Sequence, residues 1–166
     1  MITSFPRRPD IGSVLIITLL VMLMLTILAV TEVSFNSTQT RIATNTADEQ
    51  VAFQTAEGAL NEATNNLLAG NYATTGFLAN ANGLYLFNAN NSPLWTTVDW
   101  TSASSVVLSF QGGSNAQAAF LIEQLPSVLK GGQNSGIPTQ VYRITVRAVG
   151  ASGNSPVILQ STVQSQ

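Results

Sequence analysis

The sequence predicts an α+β protein, in which a long N-terminal helix packs on a small antiparallel β-sheet head and the first part of that helix is transmembrane. Two observations predict this class. Residues 12–68 contain no proline and no paired glycine, and their apolar side chains recur at helical spacing. The last third of the chain instead alternates apolar and polar side chains, as half-buried strands do. We therefore expect a β-rich globular head over residues 69–166.

Residues 13–34 are predicted to form the transmembrane part of the helix. No charged residue occurs between Asp10 and Glu32, and residues 14–30 are almost entirely apolar. At about 1.5 Å per residue this stretch covers roughly 30 Å, which is the thickness of a hydrocarbon core. Thr18 and Thr26 cost little there, because their hydroxyls can bond to carbonyls one turn earlier.

Residues 1–12 are predicted to be a short basic leader. Arg7 and Arg8 precede the apolar run, which favours a cytoplasmic N-terminus. A plain signal anchor or a cleaved secretory signal peptide is the simpler interpretation of such a layout. Residues 29–34, however, offer no convincing pair of small residues for a secretory peptidase.

Residues 35–68 are predicted to be the amphipathic part of the helix, docked on the head. Apolar residues follow a 3-4-3-4 spacing, which is the narrow stripe of a helix packed on another element. The residues expected to make this helix-to-head packing are Phe53, Ala56, Leu60 and Leu67.

The composition excludes several classes of function. The chain has 166 residues, of which 8% are charged, and it has no cysteine and no histidine. Disulfides, thiol chemistry, the usual zinc ligand sets and histidine acid–base catalysis are therefore absent. Six basic residues make no patch for a phosphate backbone. We expect no catalytic residue, no metal, no cofactor and no nucleic-acid partner.

The head is predicted to contain short strands at residues 83–87 and 105–110 and three longer strands further on. Residues 118–125 form the first long strand, which Pro126 is expected to end. The two tryptophans, Trp95 and Trp100, are expected in the core of the head, with a partner-binding surface pair as the alternative.

The second long strand alternates cleanly between residues 141 and 149. Its apolar row points toward the helix, and Arg143, Thr145 and Arg147 point to the other face. The two arginines are expected either to form salt bridges with a neighbouring subunit or to lie on a solvated sheet face.

Three stretches together resemble one known family. Gly12, directly before the apolar run, resembles the end of a type IV prepilin leader. Residues 51–60, VAFQTAEGAL, are similar to the AFQ-A-AE-AL signature of PilX-type minor pilins. Residues 141–150 (VYRITVRAVG) and 156–164 (PVILQSTVQ) resemble the closing pair of strands of the same family.

This resemblance implies a maturation pathway and a set of partners. A prepilin peptidase would cleave after Gly12, and Ser13 would become the N-methylated first residue. The implied partners are other minor pilins, the major pilin, the inner-membrane assembly platform and a possible tip adhesin. The protein would reside in the bacterial inner membrane and then enter the pilus fibre or its tip. The role of that pilus is left open between twitching motility, DNA uptake and adhesion.

Ile17 departs from the general pilin pattern. It would be the fifth residue of the mature chain, where most pilins carry a glutamate that pairs with the N-terminal amine of a neighbouring subunit. An unpaired carboxylate is costly in lipid, so a subunit without such a neighbour is better served by an apolar residue. The resemblance thus favours a subunit at or near the tip, and the alternative is that Ile17 merely faces lipid.

The sequence therefore favours a minor pilin that primes assembly of a type IV pilus or sits at its tip. One alternative is a pilus-tip adhesion or binding module with residues 69–117 as its contact region. Another is the tip pseudopilin of a type II secretion system. A membrane-anchored enzyme is disfavoured, because no nucleophile–base set is present.

Overall fold

The computed structural model describes residues 11–109, 117–128, 138–153 and 155–165. The predicted leader, with Arg7 and Arg8, lies outside them except for its last two residues. The described elements are α1 (Ile11–Leu68), α2 (Thr74–Leu78), β1 (Leu84–Leu86), α3 (Leu94–Thr97), β2 (Val107–Ser109), β3 (Gln117–Val128), β4 (Thr139–Val149) and β5 (Pro156–Ser165). The chain divides into two compact units, Met1–Thr44 and Asn45–Gln166.

The described part of the first unit is helix alone. Thr18, Thr26 and Thr31 each donate their hydroxyl to a backbone carbonyl three residues earlier, at 2.8–2.9 Å. This confirms the prediction that the threonine hydroxyls of the apolar run form their hydrogen bonds within the helix.

The second unit is built on one mixed sheet. Its strand order is β1-β3-β4-β5, and β2 also pairs with β3. β4 runs antiparallel to both β3 and β5, and its register with β5 is regular over ten residue pairs. β2 is antiparallel to residues 118–120 of β3, whereas β1 is parallel to residues 122–124. The predicted sheet was antiparallel throughout. The observed sheet differs from this prediction at β1, which pairs in parallel with β3. The long connection through α3 allows the chain to return in the same direction.

α1 ends just before Gly70, which adopts a left-handed backbone conformation. Gly70 has a φ of +75°. Its N–H bonds to the Leu67 carbonyl, and the N–H of Asn71 reaches back to the Asn66 carbonyl. This is the Schellman arrangement, which needs a left-handed residue just after the helix.

Two expectations about the head are wrong. β3 does not end at Pro126 but continues to Val128, with an irregularity in its pairing between Leu125 and Val128. A proline fits there because the register shift removes the need for its missing N–H. Trp95 is 42% exposed and Trp100 is half-buried, so neither forms the core. The core is filled instead by Phe77 and by the apolar rows of β3 and β4.

Candidate assembly surface

The first unit presents an apolar surface that nothing within the described chain covers. Every large apolar side chain between Val14 and Val30 is exposed, Leu20 least at 47% and Leu15 and Leu19 most at 71%. Among the described residues, α1 is the one helix long and apolar enough to cross a membrane, with a mean hydropathy of 2.9 over its most apolar window. Such a surface requires lipid or other apolar helices around it.

The residues predicted for processing lie at the start of this helix. Gly12 and Ser13 are helical and exposed. A Cβ atom at Gly12 would meet no other atom within 4 Å, so packing within the chain does not explain the glycine. Ile17 lies on the next turn and is 60% exposed. Its apolar neighbours are exposed as well.

In the second unit, residues 45–68 of α1 pack on the sheet through a stripe of small side chains. Ala52, Ala56, Ala59 and Ala63 are fully buried, and Leu67 continues the stripe. Ala56 and Leu67 belong to the same core cluster as Ile144 of β4. Leu60 is partly buried against that cluster. These three residues lie where the sequence placed them.

The prediction for Phe53 is corrected. Its side chain is 44% exposed, and Phe53 lies outside the core cluster. The buried stripe passes through Ala52, one residue and about 100° away around a helix of 3.6 residues per turn. The hydrophobic pattern favoured the larger side chain, whereas the face of the helix that lies on the sheet is occupied mainly by alanine.

A second contact, made by hydrogen bonds, joins α1 to the turn between β4 and β5. The hydroxyl of Ser152 donates to Asp48 Oδ2 at 2.6 Å, and the N–H of Ser152 donates to Oδ1 at 3.0 Å. These bonds, the side-chain bond first, lower the pKa of Asp48 below its ordinary value of 3.8. Asp48 lies well beyond the apolar run, outside the part of the helix that fits a membrane.

Gly150 is what allows this approach. It is buried, and a Cβ atom there would lie 2.5 Å from the backbone oxygen of Asp48. No side chain fits between the turn and the helix. The sequence reasoning missed Asp48, Gly150 and Ser152 as a contact set, because their separation along the chain leaves no pattern to find.

The face of the sheet opposite the helix is not simply solvated. Arg143 Nε donates to Glu123 Oε2 at 2.8 Å, with a side-chain exposure of 25% for the arginine and 3% for the glutamate. Thr145 is fully buried, and Gln160 donates to its hydroxyl at 2.9 Å. Arg143 therefore pairs with a glutamate of its own chain, and the solvated sheet face expected there is not what the structure shows. Arg147 is half-buried on the same strand.

No cluster within the described ranges offers a metal site. No group of three or more His, Cys, Asp or Glu residues there is close enough to hold an ion. Asn80 and Asn82, which could suggest calcium ligands, have φ angles of 49° and 56° and form turns.

An exposed apolar helix that continues into a helix packed on a β-sheet defines the pilin-like class of α+β proteins. A family model described as "Type IV pilus assembly protein PilX C-term" matches residues 35–165. The chain belongs to this type IV pilus assembly family. Comparison with curated proteins and with solved structures gave no match.

Proposed function

We propose that this protein is a minor pilin that primes assembly of a type IV pilus, or sits at its tip, by packing with other minor pilins. The observation that carries the proposal is the uncovered apolar helix of the first unit in a chain of the PilX family. Its action is mechanical, so the proposal includes no catalytic residue and no cofactor.

The helix has two environments in this scheme. In the bacterial inner membrane, its apolar side chains are buried in lipid and its N-terminus faces the cytoplasm. In the fibre, the same side chains pack against the helices of neighbouring pilins. Transfer from one to the other needs no hydrophobic driving force, because both environments are apolar, and the specific packing of helices decides the outcome.

Processing at Gly12 and Ser13 is part of the proposal. A prepilin peptidase removes residues 1–12, and Ser13 carries the methylated amine of the mature chain. The partners are the major pilin, other minor pilins, the inner-membrane assembly platform and a possible tip adhesin. Ile17 supports a position at or near the tip, since it supplies no carboxylate to pair with the amine of another subunit.

Mass spectrometry of the N-terminal peptide from membranes of a piliated host tests the processing. We expect a chain that begins at methylated Ser13. A chain that begins at Met1, or beyond Val30, would overturn the proposal. A Gly12→Ala variant serves as a second arm, in which we expect the unprocessed chain to accumulate and piliation to fall.

A further inference from the structure

A cleft of about 800 Å³ opens on the head, on the sheet face opposite α1. The segment 85–94 forms one wall, and Glu123 and Arg143 lie on the floor. This volume is within the range of small-molecule sites, roughly 300–1,000 Å³. All of these residues belong to the second unit.

The register of three strands assembles the floor of the cleft. Tyr85 of β1 is paired with Glu123 of β3, and Glu123 is paired with Arg143 of β4. Residues directly opposite one another on adjacent strands place their side chains on the same face of a sheet. The three polar side chains therefore form one row, while their apolar neighbours Ile122 and Ile144 face the helix.

Two of these three groups have unused hydrogen-bonding capacity. Arg143 uses its Nε for Glu123, and its guanidinium carbon lies 5.1 Å from the centre of the Phe87 ring. Neither terminal amino group of Arg143 has a hydrogen-bond partner among the described residues. Glu123 likewise uses only Oε2 there. The floor thus offers N–H donors beside a carboxylate acceptor.

Such a pair matches neutral ligands better than charged ones. The glutamate cancels the charge of the arginine at 2.8 Å, so neither an anion nor a cation gains much from the pair. Asn88 and Asn91, which line the wall, are neutral as well. Adjacent hydroxyl groups, which both donate and accept, satisfy donors and an acceptor that lie side by side.

A nearly buried ion pair is a poor source of stability, because replacing such a pair by apolar residues is often neutral or stabilising. Its position on the floor of a cleft makes its remaining hydrogen-bonding groups available to a ligand instead. We propose that this cleft binds a neutral saccharide, whose neighbouring hydroxyls bond to the terminal amino groups of Arg143 and to Glu123. The proposal goes beyond pilus assembly and does not depend on it.

The test uses the full chain, purified in lauryldimethylamine oxide micelles, because a detergent with a sugar headgroup would compete. The probes are glucose, galactose, mannose, N-acetylglucosamine and lactose, measured by saturation-transfer NMR. We expect at least one of them to bind in the millimolar range. Absence of binding by all five would overturn the proposal, and so would binding of N-acetylneuraminate without any neutral sugar.

Two variants test whether the saccharide binds in this cleft. Arg143→Lys loses the paired terminal amino groups and is expected to weaken binding by about tenfold or more, equivalent to about 1.4 kcal/mol. Arg147→Lys, on the same strand but outside the cleft, is the matched control and should bind as the parent does. Equal affinities for parent and Arg143→Lys would overturn the proposal.

The second variant avoids the ion pair altogether, in case Arg143→Lys fails to fold. Ala89 is exposed on the wall of the cleft, and Ala89→Trp should fill the cleft and abolish binding. Ala103→Trp, exposed and outside the cleft, should leave binding unchanged. Ala89→Trp should also leave piliation intact, so a failure of saccharide binding is separable from a failure of the proposed assembly role.

Discussion

At the scale of single residues, the contact between α1 and the β4–β5 turn depends on a glycine, Gly150, and on the carboxylate of Asp48. Gly150 lets the turn approach the helix backbone, and Asp48 then accepts two hydrogen bonds from Ser152. Charge-assisted bonds of this kind are stronger than neutral ones. They link positions more than one hundred residues apart along the chain.

Gly150→Ala is expected to destabilise the head by about 1–3 kcal/mol, the usual cost of overpacking. The added methyl group would meet the backbone of Asp48, which cannot rotate away as a flexible side chain would. Chemical denaturation followed by circular dichroism, with the full chain in micelles, measures this. An unchanged midpoint would show that the turn moves aside without cost.

The Asp48 carboxylate should make stability dependent on pH in the acid range. Its pKa is lower in the folded protein than its ordinary value of 3.8, so its contribution is complete above that value and disappears as the pH falls through the folded pKa. We expect Asp48→Asn to show a shallower loss of stability than the parent between about pH 5 and pH 2.

Denaturation midpoints across this pH range provide the measurement for Asp48. The control is Glu49→Gln, which removes a neighbouring carboxylate that makes no hydrogen bond within the described residues. Parallel curves for the parent and Asp48→Asn would contradict the assignment of this acid sensitivity to Asp48.

At the scale of elements, the second half of α1 is held by an alanine stripe. Four alanines are fully buried on the face toward the sheet, whereas Phe53, on a neighbouring face of the helix, remains exposed. Dense packing of this kind leaves no room for added methylenes. The stripe therefore determines how the helix docks.

Ala56→Leu should destabilise the head by about 1–3 kcal/mol, because the extra volume has to push the helix off the sheet. Phe53→Leu, three residues earlier on the same helix, is the matched control and should change stability by less than about 0.5 kcal/mol. Thermal unfolding of both variants in the same detergent compares them. Equal shifts for the two variants would contradict the observed face of the helix.

At the scale of the whole molecule, the chain combines a self-contained head with an apolar helix whose covering comes from outside. The proposed role follows from this combination, since lipid and neighbouring pilin helices are interchangeable surroundings for the first unit. Ile17 is the position at which this exchange can be tested.

Ile17→Glu should reduce the number of pili per cell, because a carboxylate without a neighbouring amine is costly among apolar side chains. Ile17→Leu keeps the apolar character and should assemble normally. Electron microscopy of cells that carry each variant as their sole copy gives the count. Normal piliation with Ile17→Glu would argue against a position at or near the tip and favour one within the shaft.

The sequence by itself determined the features that depend on local pattern. The long helix, its apolar part and the alternating rows of β4 and β5 are all periodic signals. Leu60 and Leu67 could also be assigned to the packed face from spacing alone. The family followed from three short motifs, and the family match over residues 35–165 confirms it.

Only the tertiary structure decided the features that depend on contacts distant in sequence. The parallel pairing of β1, the strand that runs on past Pro126 and the Asp48–Ser152 contact leave no local trace. The Tyr85–Glu123–Arg143 row depends on the register of three strands, and spacing along one strand cannot specify which residue lies opposite on the next. Phe53 was misassigned because the buried face of the helix passes through Ala52, one residue away, and hydrophobic spacing along the helix does not show which face meets the sheet.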